Sequence, residues 1–243
     1  MTETTRGALI FGARNLGRAI IETLVAQGWN VAGAARSDET LANVTAAGAL
    51  ALRSDITDQA AVRATVEEAA EALGAMDLVV NAAAAYGGTR TGPFGGGPIA
   101  DAAPDAFDSW SVAPARSAFA FLSGAGGPLA ALDRPATLIQ VTGGSSRRAM
   151  PNRGMWAAGA FATRALTQAA AQELRGEGIH VALLIVDATI ESPKTAQMTE
   201  GSPRDALADM ARIAEAVEFL AGQEPRAYTH ELVLTPAGDQ WVP

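Results

Sequence analysis

Gly7-Ala8-Leu9-Ile10-Phe11-Gly12-Ala13-Arg14-Asn15-Leu16-Gly17, continued by Arg18-Ala19-Ile20-Ile21-Glu22-Thr23-Leu24-Val25 up to Gly28, is the stretch whose reading decides the fold. An apolar run, a glycine turn and a helical apolar period follow one another without a spacer, which predicts a buried strand passing directly into a helix. That junction aims open backbone N–H groups and the positive end of the helix dipole at one point, where a phosphate or pyrophosphate is favoured. Gly12 permits the turn, and Gly17 permits the close approach of helix to strand. The spacing is Gly-x4-Gly with no middle glycine, so the dinucleotide fingerprint is incomplete when read alone.

Outward from this unit the alternation repeats. Residues 30–35 predict a second strand ended by Arg36-Ser37-Asp38, with helix to about Ala46. Residues 50–55 predict a third strand; Thr57-Asp58 then cap a helix whose Ala61, Val62, Val66, Ala69 and Ala70 recur at helical spacing. A fourth strand is expected over 76–81, a helix over 104–122, a fifth strand over 137–142 broken by Gly143-Gly144, and an alanine-rich helix over 155–174. A sixth strand over 180–186, a helix over 206–220 and a last strand over 231–234 complete the series. This rhythm predicts an α/β protein: a Rossmann-type, doubly wound parallel sheet with helices on both faces, in a single domain spanning 1–243. Ala160, Ala165, Ala169 and Ala170 carry little bulk and suggest a helix that packs against a second subunit.

One segment breaks the rhythm. The glycine-rich residues 83–104 cannot hold a helix or a central strand, so a long loop is expected there, either a cover over the ligand crevice or a disordered surface insertion. Tyr86 and Arg90 stand four apart within it, but Gly87-Gly88 argue against a helix that would align them.

The totals bound the function. With 243 residues the chain can bury one substantial core, and its net charge of -8 leaves no basic stripe for nucleic acid and discourages binding to anionic membranes. The absence of Cys removes disulfides and thiolate chemistry. Residues 1–6 are polar and the apolar runs are too short for a membrane span, so a cytoplasmic protein is expected. No His, Asp and Glu cluster has metal spacing, and no metal is expected. His180 and His230 each stand alone and read as structural or exposed.

In their order these motifs resemble the short-chain dehydrogenase/reductase family over nearly the whole chain. The family's glycine turn corresponds to Phe11-Gly12 through Gly17, one residue short and without its central glycine. Its adenine-contacting Asp corresponds to Asp55, followed by Ile56, and its Asn-Asn-Ala-Gly to Asn81-Ala82-Ala83-Ala84, with the first Asn and the third-position Ala kept. Gly178-Ile179-His180-Val181 resembles the family's sixth-strand Gly-Ile-Arg-Val. The resemblance implies a cofactor site built from Gly12, Arg14, Asn15, Leu16, Gly17, Arg36, Asp55, Ile56, Asn81, Ala82 and Thr189. NAD-preferring members carry an acid after the second strand, whereas Ala35-Arg36 suits a 2′-phosphate, with Arg14 placed to reach it from the other side; NADP(H) is therefore favoured over NAD(H). As solvated turn residues, Arg14 and Arg36 would carry no such preference. The resemblance further implies a homodimer or homotetramer acting on a small molecule that the sequence does not name, and a substrate lid over 187–203, where Thr189 and Ser192 both qualify as the family's nicotinamide-contacting Thr.

The family's catalytic positions read differently. By register its Tyr falls on Trp156, its Lys on Ala160, its Ser on Gly143 and its Asn on Pro114. The chain has one Lys, Lys194, and two Tyr, Tyr86 and Tyr228, so no Tyr-x3-Lys exists anywhere in it. An indole N–H donates a hydrogen bond but does not serve as a general acid. The remaining candidates are Ser145, with Ser146 beside it, as a substrate contact or a turn cap; Arg147 and Arg148 as anion holders or solvated loop charges; Trp156 as a donor; and Asp187 as a carboxylate beside the expected nicotinamide or a loop cap. Three readings follow: a divergent NADP(H)-dependent oxidoreductase without the usual tetrad, a non-catalytic NADP(H) sensor, or a non-redox isomerase or cyclase in the same crevice.

Overall fold

The protein is described from a computed structural model that covers residues 5–83 and 92–239. Seven strands form one sheet: β1 (Gly7–Phe11), β2 (Asn30–Ala35), β3 (Leu50–Arg53), β4 (Leu78–Asn81), β5 (Ala136–Gly143), β6 (Ile179–Val186) and the last strand of the chain, Glu231–Leu234. Their spatial order is β3-β2-β1-β4-β5-β6 with Glu231–Leu234 at the far edge, and every pairing is parallel. The chain winds outward from β1 to β3, then returns to the other side of β1 at β4. Ligands of open α/β sheets bind at such a reversal. A parallel sheet is covered on both faces, and β1 and β6 are accordingly buried along their whole length.

Helices α1 (Leu16–Ala26) and α2 (Asp38–Ala46) cover one face together with the carboxyl-terminal helix Met210–Ala221, where Ile20, Leu24, Val44, Ile213 and Val217 meet the sheet. The other face carries α3 (Gln59–Leu73), then α4 (Pro104–Phe107) leading into α5 (Ala113–Ala131), and α6 (Gly154–Glu173). Their core includes Phe11, Val66, Phe121, Leu129 and Leu138, and each fully buried side chain of this size contributes about 1.5–3 kcal/mol. The close approach of α3 to α5 depends on Gly124, where a Cβ would lie 2.8 Å from the Gln59 carbonyl oxygen.

Several element boundaries differ from the sequence expectation, each for a local reason. The helix expected over 104–122 is interrupted by a π-turn, Asp108–Val112, and then runs on to Ala131. Pro114 has no N–H to offer the carbonyl four residues back, and the Ala113 N–H reaches five residues back to Asp108. The helix expected from Ala206 starts at Met210, capped by Asp209, because Leu207–Ala208 instead pairs as a short strand with Thr189–Ile190. In chain order these two are β7 (Thr189–Ile190) and β8 (Leu207–Ala208), so that the last sheet strand is β9, and the final helix is α8 after the short α7 (Ala196–Thr199). The third strand ends at Arg53 rather than Asp55, and the fourth begins at Leu78. Ala160 faces inward and is 5% exposed, so it does not belong to an outward stripe; Ala165 and Ala169 do.

Candidate functional site

A cleft of about 1290 Å³ opens along the carboxyl ends of the strands. It starts at the glycine turn. The Gly12 N–H donates to the Ala34 carbonyl at 3.1 Å and the Arg14 N–H to the Gly12 carbonyl at 2.8 Å, which folds the turn tightly between β1 and β2. Gly12 has φ +81, and a Cβ there would sit 2.5 Å from the Ala83 nitrogen, so the turn fits against the end of β4 only as glycine. Gly17 lies beneath the cleft instead of lining it: its Cβ would stand 2.5 Å from the Gly12 carbonyl oxygen, which is how closely α1 abuts the turn. Helix α1 begins at Asn15 without a side-chain cap, whereas Ser37, Asp58 and Asp209 cap α2, α3 and α8. An uncapped N-terminus beside a turn with no room for side chains suits a diphosphate.

Arg14 and Arg36 are both exposed at the rim of this end. Arg36 Nη1 approaches Asp55 Oδ2 at 3.5 Å, with side chains 73% and 41% exposed, a contact worth little in water. Arg53 is occupied elsewhere, donating to the Arg36 carbonyl and to Asp38. Burial pushes the Asp55 carboxyl up, but hydrogen bonds from the Thr57 backbone and hydroxyl and the Arg36 charge outweigh it and hold the pKa below the usual value of 3.8. Asn15, Leu16, Ile56, Asn81, Ala82 and Thr189 all line the same cleft. The Asn81 side chain is fixed from within: its amide donates to Gln140 Oε1 at 2.9 Å and its oxygen accepts the Ala83 N–H at 3.0 Å.

Pro114, Gly143, Trp156 and Ala160, the positions that sequence register assigns to the family's tetrad, also line the cleft. What fills the far end is an ion pair. Arg148 donates to both carboxylate oxygens of Asp187, from Nη2 at 3.0 Å and more closely from Nη1, and Asp187 is 5% exposed. Gly144 makes room for it, since a Cβ there would lie 1.7 Å from Asp187 Oδ1. Of the two serines, Ser146 is buried and donates to the Gly143 carbonyl at 2.9 Å as a turn cap, while Ser145 lines the cleft. Arg147 does not line the cleft; its Nη1 is buried without a hydrogen-bond partner, and its charge acts on Glu231.

The remaining wall is aromatic. Residues 84–91 of the glycine-rich loop, with Tyr86 and Arg90, lie outside the described residues. The following part is packed: Gly95, Gly96 and Gly97 have positive φ, and a Cβ on Gly96 would come 2.5 Å from Met155 Cε. This seats Phe94 edge-to-face against Trp156 at 4.7 Å and against buried Trp110 at 5.4 Å, with the Arg153 guanidinium 5.2 Å from the Phe94 ring. The 187–203 segment borders the cleft through Thr189, Ser192, Lys194, Thr195 and Met198; Thr195 Oγ1 donates to the Ile190 carbonyl at 2.6 Å and accepts the Ser192 N–H at 3.0 Å. Sequence reading missed Phe94, Arg153 and the hydroxyl of Ser117, which is buried without a partner one turn after Pro114. It also missed the Arg148–Asp187 pairing, for which opposite charges just past adjacent parallel strands were the available signal.

His180 and His230 lie away from the cleft, at the amino ends of their strands. His180 stacks on Tyr228 at 4.1 Å, and its Nε2 meets the Thr229 carbonyl at 3.0 Å. No described helix is long and apolar enough to cross a membrane, and no described group of three or more His, Asp and Glu side chains is placed to hold a metal.

Comparison with known proteins agrees with this architecture. The family described as enoyl-(acyl carrier protein) reductase matches residues 11–238. The short-chain dehydrogenase/reductase eriH of Hericium erinaceus is 29% identical, covering 95% of this chain and 96% of its own length. The 2-(R)-hydroxypropyl-CoM dehydrogenase of Xanthobacter autotrophicus is 27% identical over 90% of this chain and 92% of its own. An alcohol dehydrogenase from the archaeon Thermococcus sibiricus, solved with 5-hydroxy-NADP, superposes with a TM-score of 0.78 at 21% identity, covering 98% of this chain and 100% of that one.

Proposed function

The chain belongs to the short-chain dehydrogenase/reductase family of oxidoreductases, and on that premise we propose that it is an NADP(H)-dependent oxidoreductase working without the Tyr, Lys, Ser and Asn of the usual tetrad. The observation that carries the cofactor preference is Arg36, directly after β2, exposed and only loosely held by Asp55. A guanidinium there favours a 2′-phosphate, and Arg14 across the turn adds a second charge-assisted donor. The absence of an acid at Ala35 and Arg36 removes the ribose contact that would select NAD. Gly12, Asn15 and Leu16 would hold the diphosphate at the uncapped α1 N-terminus, with Asp55, Ile56, Asn81, Ala82 and Thr189 along the rest of the cofactor.

When bound, the nicotinamide supplies a hydride, a chemistry that belongs to the cofactor and asks the protein chiefly for position. This chain's residues orient, shield and polarise. Asp187, pinned by Arg148, is a fixed charge; Ser145 and the Trp156 indole offer hydrogen bonds to a substrate oxygen; Phe94 and Trp156 exclude water. No side chain at positions 143, 156 or 160 moves a proton, so the proton balance falls to solvent. Two exposed phenylalanines, Phe119 on α5 and Phe161 on α6, are 51% and 43% exposed, and we place the subunit contact of a homodimer or homotetramer on that face.

Calorimetry with NADPH and NADH tests the cofactor reading, and loss of reduced-nicotinamide absorbance with a panel of carbonyls, imines and activated alkenes tests the activity. Tight NADPH binding with silence across the panel would transfer the conclusion to a sensor. Failure to bind either nucleotide would leave the crevice to non-redox chemistry.

A further inference from the structure

The far end of the cleft has a composition of its own. Phe94 is 48% exposed and Trp156 half-buried, and both line the cleft beside the exposed methionines Met150 and Met198. A wall of this kind prefers a flat aromatic body to an aliphatic one of equal size, because ring quadrupoles reward edge-to-face and offset contacts beyond simple burial.

Charge adds a second requirement. Arg14, Arg36, Arg148, Arg153 and Lys194 line the cleft against Asp55, Asp187 and Asp239, an excess of two cations in a chain whose net charge is -8. Asp55 and Asp187 already face Arg36 and Arg148. Among the described residues Arg153 has no ion pair, and its guanidinium rests over the Phe94 ring. Arg153 also occupies the N-cap position of α6, which begins without a side-chain cap, so a helix dipole and a side-chain cation act at one place.

We infer that the substrate is a planar aromatic compound carrying an anionic substituent, its ring against Trp156 and Phe94 and its anion at Arg153 and the α6 N-terminus. This names a substrate class for the oxidoreductase site proposed above and rests on that reading for the chemistry, though not for the binding, since every group it uses belongs to the chain itself.

The test is calorimetric titration of the full chain, with and without saturating NADPH, using naphthoate, naphthylmethanol and cyclohexanecarboxylate as probes. Naphthoate is expected to bind about tenfold more tightly than either of the others, the scale of one aromatic or one charged contact. Arg153→Gln, at an exposed position, should erase the preference for naphthoate over naphthylmethanol and leave NADPH affinity unchanged. Trp156→Leu, checked for folding by circular dichroism, should erase the preference over cyclohexanecarboxylate. Equal binding of the three probes, no naphthoate binding, or Arg153→Gln weakening naphthoate and the alcohol alike would each overturn the inference. Naphthoate binding that survives in a protein unable to bind NADPH would uphold the substrate class and overturn the cofactor reading instead.

Discussion

At the β1–β3 end of the cleft the charged groups are exposed and loosely paired, whereas at the β5–β6 end a buried carboxylate is matched within the chain, with Arg153 and the α6 N-terminus left open beside it. The first end has an uncapped helix, two exposed arginines and a loose 3.5 Å ion pair. The second has a buried carboxylate held by both terminal guanidinium nitrogens, Nη1 and Nη2, of Arg148. Open donors cost little while water satisfies them and are ready for an anionic ligand. A buried pair cannot be released cheaply, because removing either partner strands a charge. The same sheet therefore presents one end whose charged groups are open and one whose central carboxylate is held within the chain, and the second contains the positions that sequence register assigns to the family's proton-transfer residues.

The largest test of this contrast is to rebuild what is missing. Gly143→Ser, Trp156→Tyr and Ala160→Lys together should raise turnover of an activated carbonyl by ~10²- to 10⁴-fold, the usual worth of positioned proton transfer. Gly143 has room for a side chain, since a Cβ there would stand 3.8 Å from its nearest neighbour, the Val186 carbonyl oxygen. An unchanged rate, with NADPH still bound, would mean that the far end has abandoned carbonyl chemistry.

Next in size is the ion pair. Arg148→Met should destabilise the fold by about 2–4 kcal/mol in urea unfolding, below the full cost of a stranded buried charge because Arg148 is 25% exposed. Arg148→Met with Asp187→Leu should recover more than half of that loss. If the double variant is as unstable as the single one, the pair is not the reason for the penalty. Smaller again, Arg36→Ala should weaken NADPH binding by about 10- to 100-fold through loss of charge-assisted hydrogen bonds and leave NADH binding unaltered. Equal losses for the two nucleotides would refute the 2′-phosphate role.

The open end was legible in the sequence because it is local. Gly12 to Gly17, Ala35-Arg36 and Asp55-Ile56 each sit at the carboxyl end of a strand that hydrophobic periodicity already marks, and strand order then brings them together. At the other end the sequence showed unexpected residues at 114, 143, 156 and 160 and separate candidates, Ser145, Arg148, Trp156 and Asp187, without their partners. The pairing there is long-range: Arg148 meets Asp187 across 39 residues, and Phe94 meets Trp156 because Gly95 to Gly97 bend the loop onto α6. Local propensity carries no information about such pairings. The later start of α8 has the same origin, since β8 exists only through its distant partner β7.

The smallest effect separates Asp55 at the open end from a buried histidine outside the cleft by pH. His180, on β6, is 1% exposed, and burial pushes its pKa below 6.5 although the Thr229 carbonyl works the other way and His230 adds to the lowering. The unfolded chain then takes up the proton first, so the stability tied to the neutral ring is fully present above 6.5 and declines as pH falls from 6.5 toward the lower folded value. Asp55, at the open end, has its pKa held below 3.8; its contribution is present above 3.8 and declines only as pH falls through the still lower folded value. Tyr228 and His230 surround the His180 ring, and Tyr228, raised by burial and by Glu224, stays protonated throughout this range. Unfolding measured along an acid series should thus show two separate declines. His180→Gln should flatten the one that begins at 6.5 and leave the one below 3.8, and Asp55→Asn should do the reverse. A single decline removed by either variant would show that the two groups do not titrate independently.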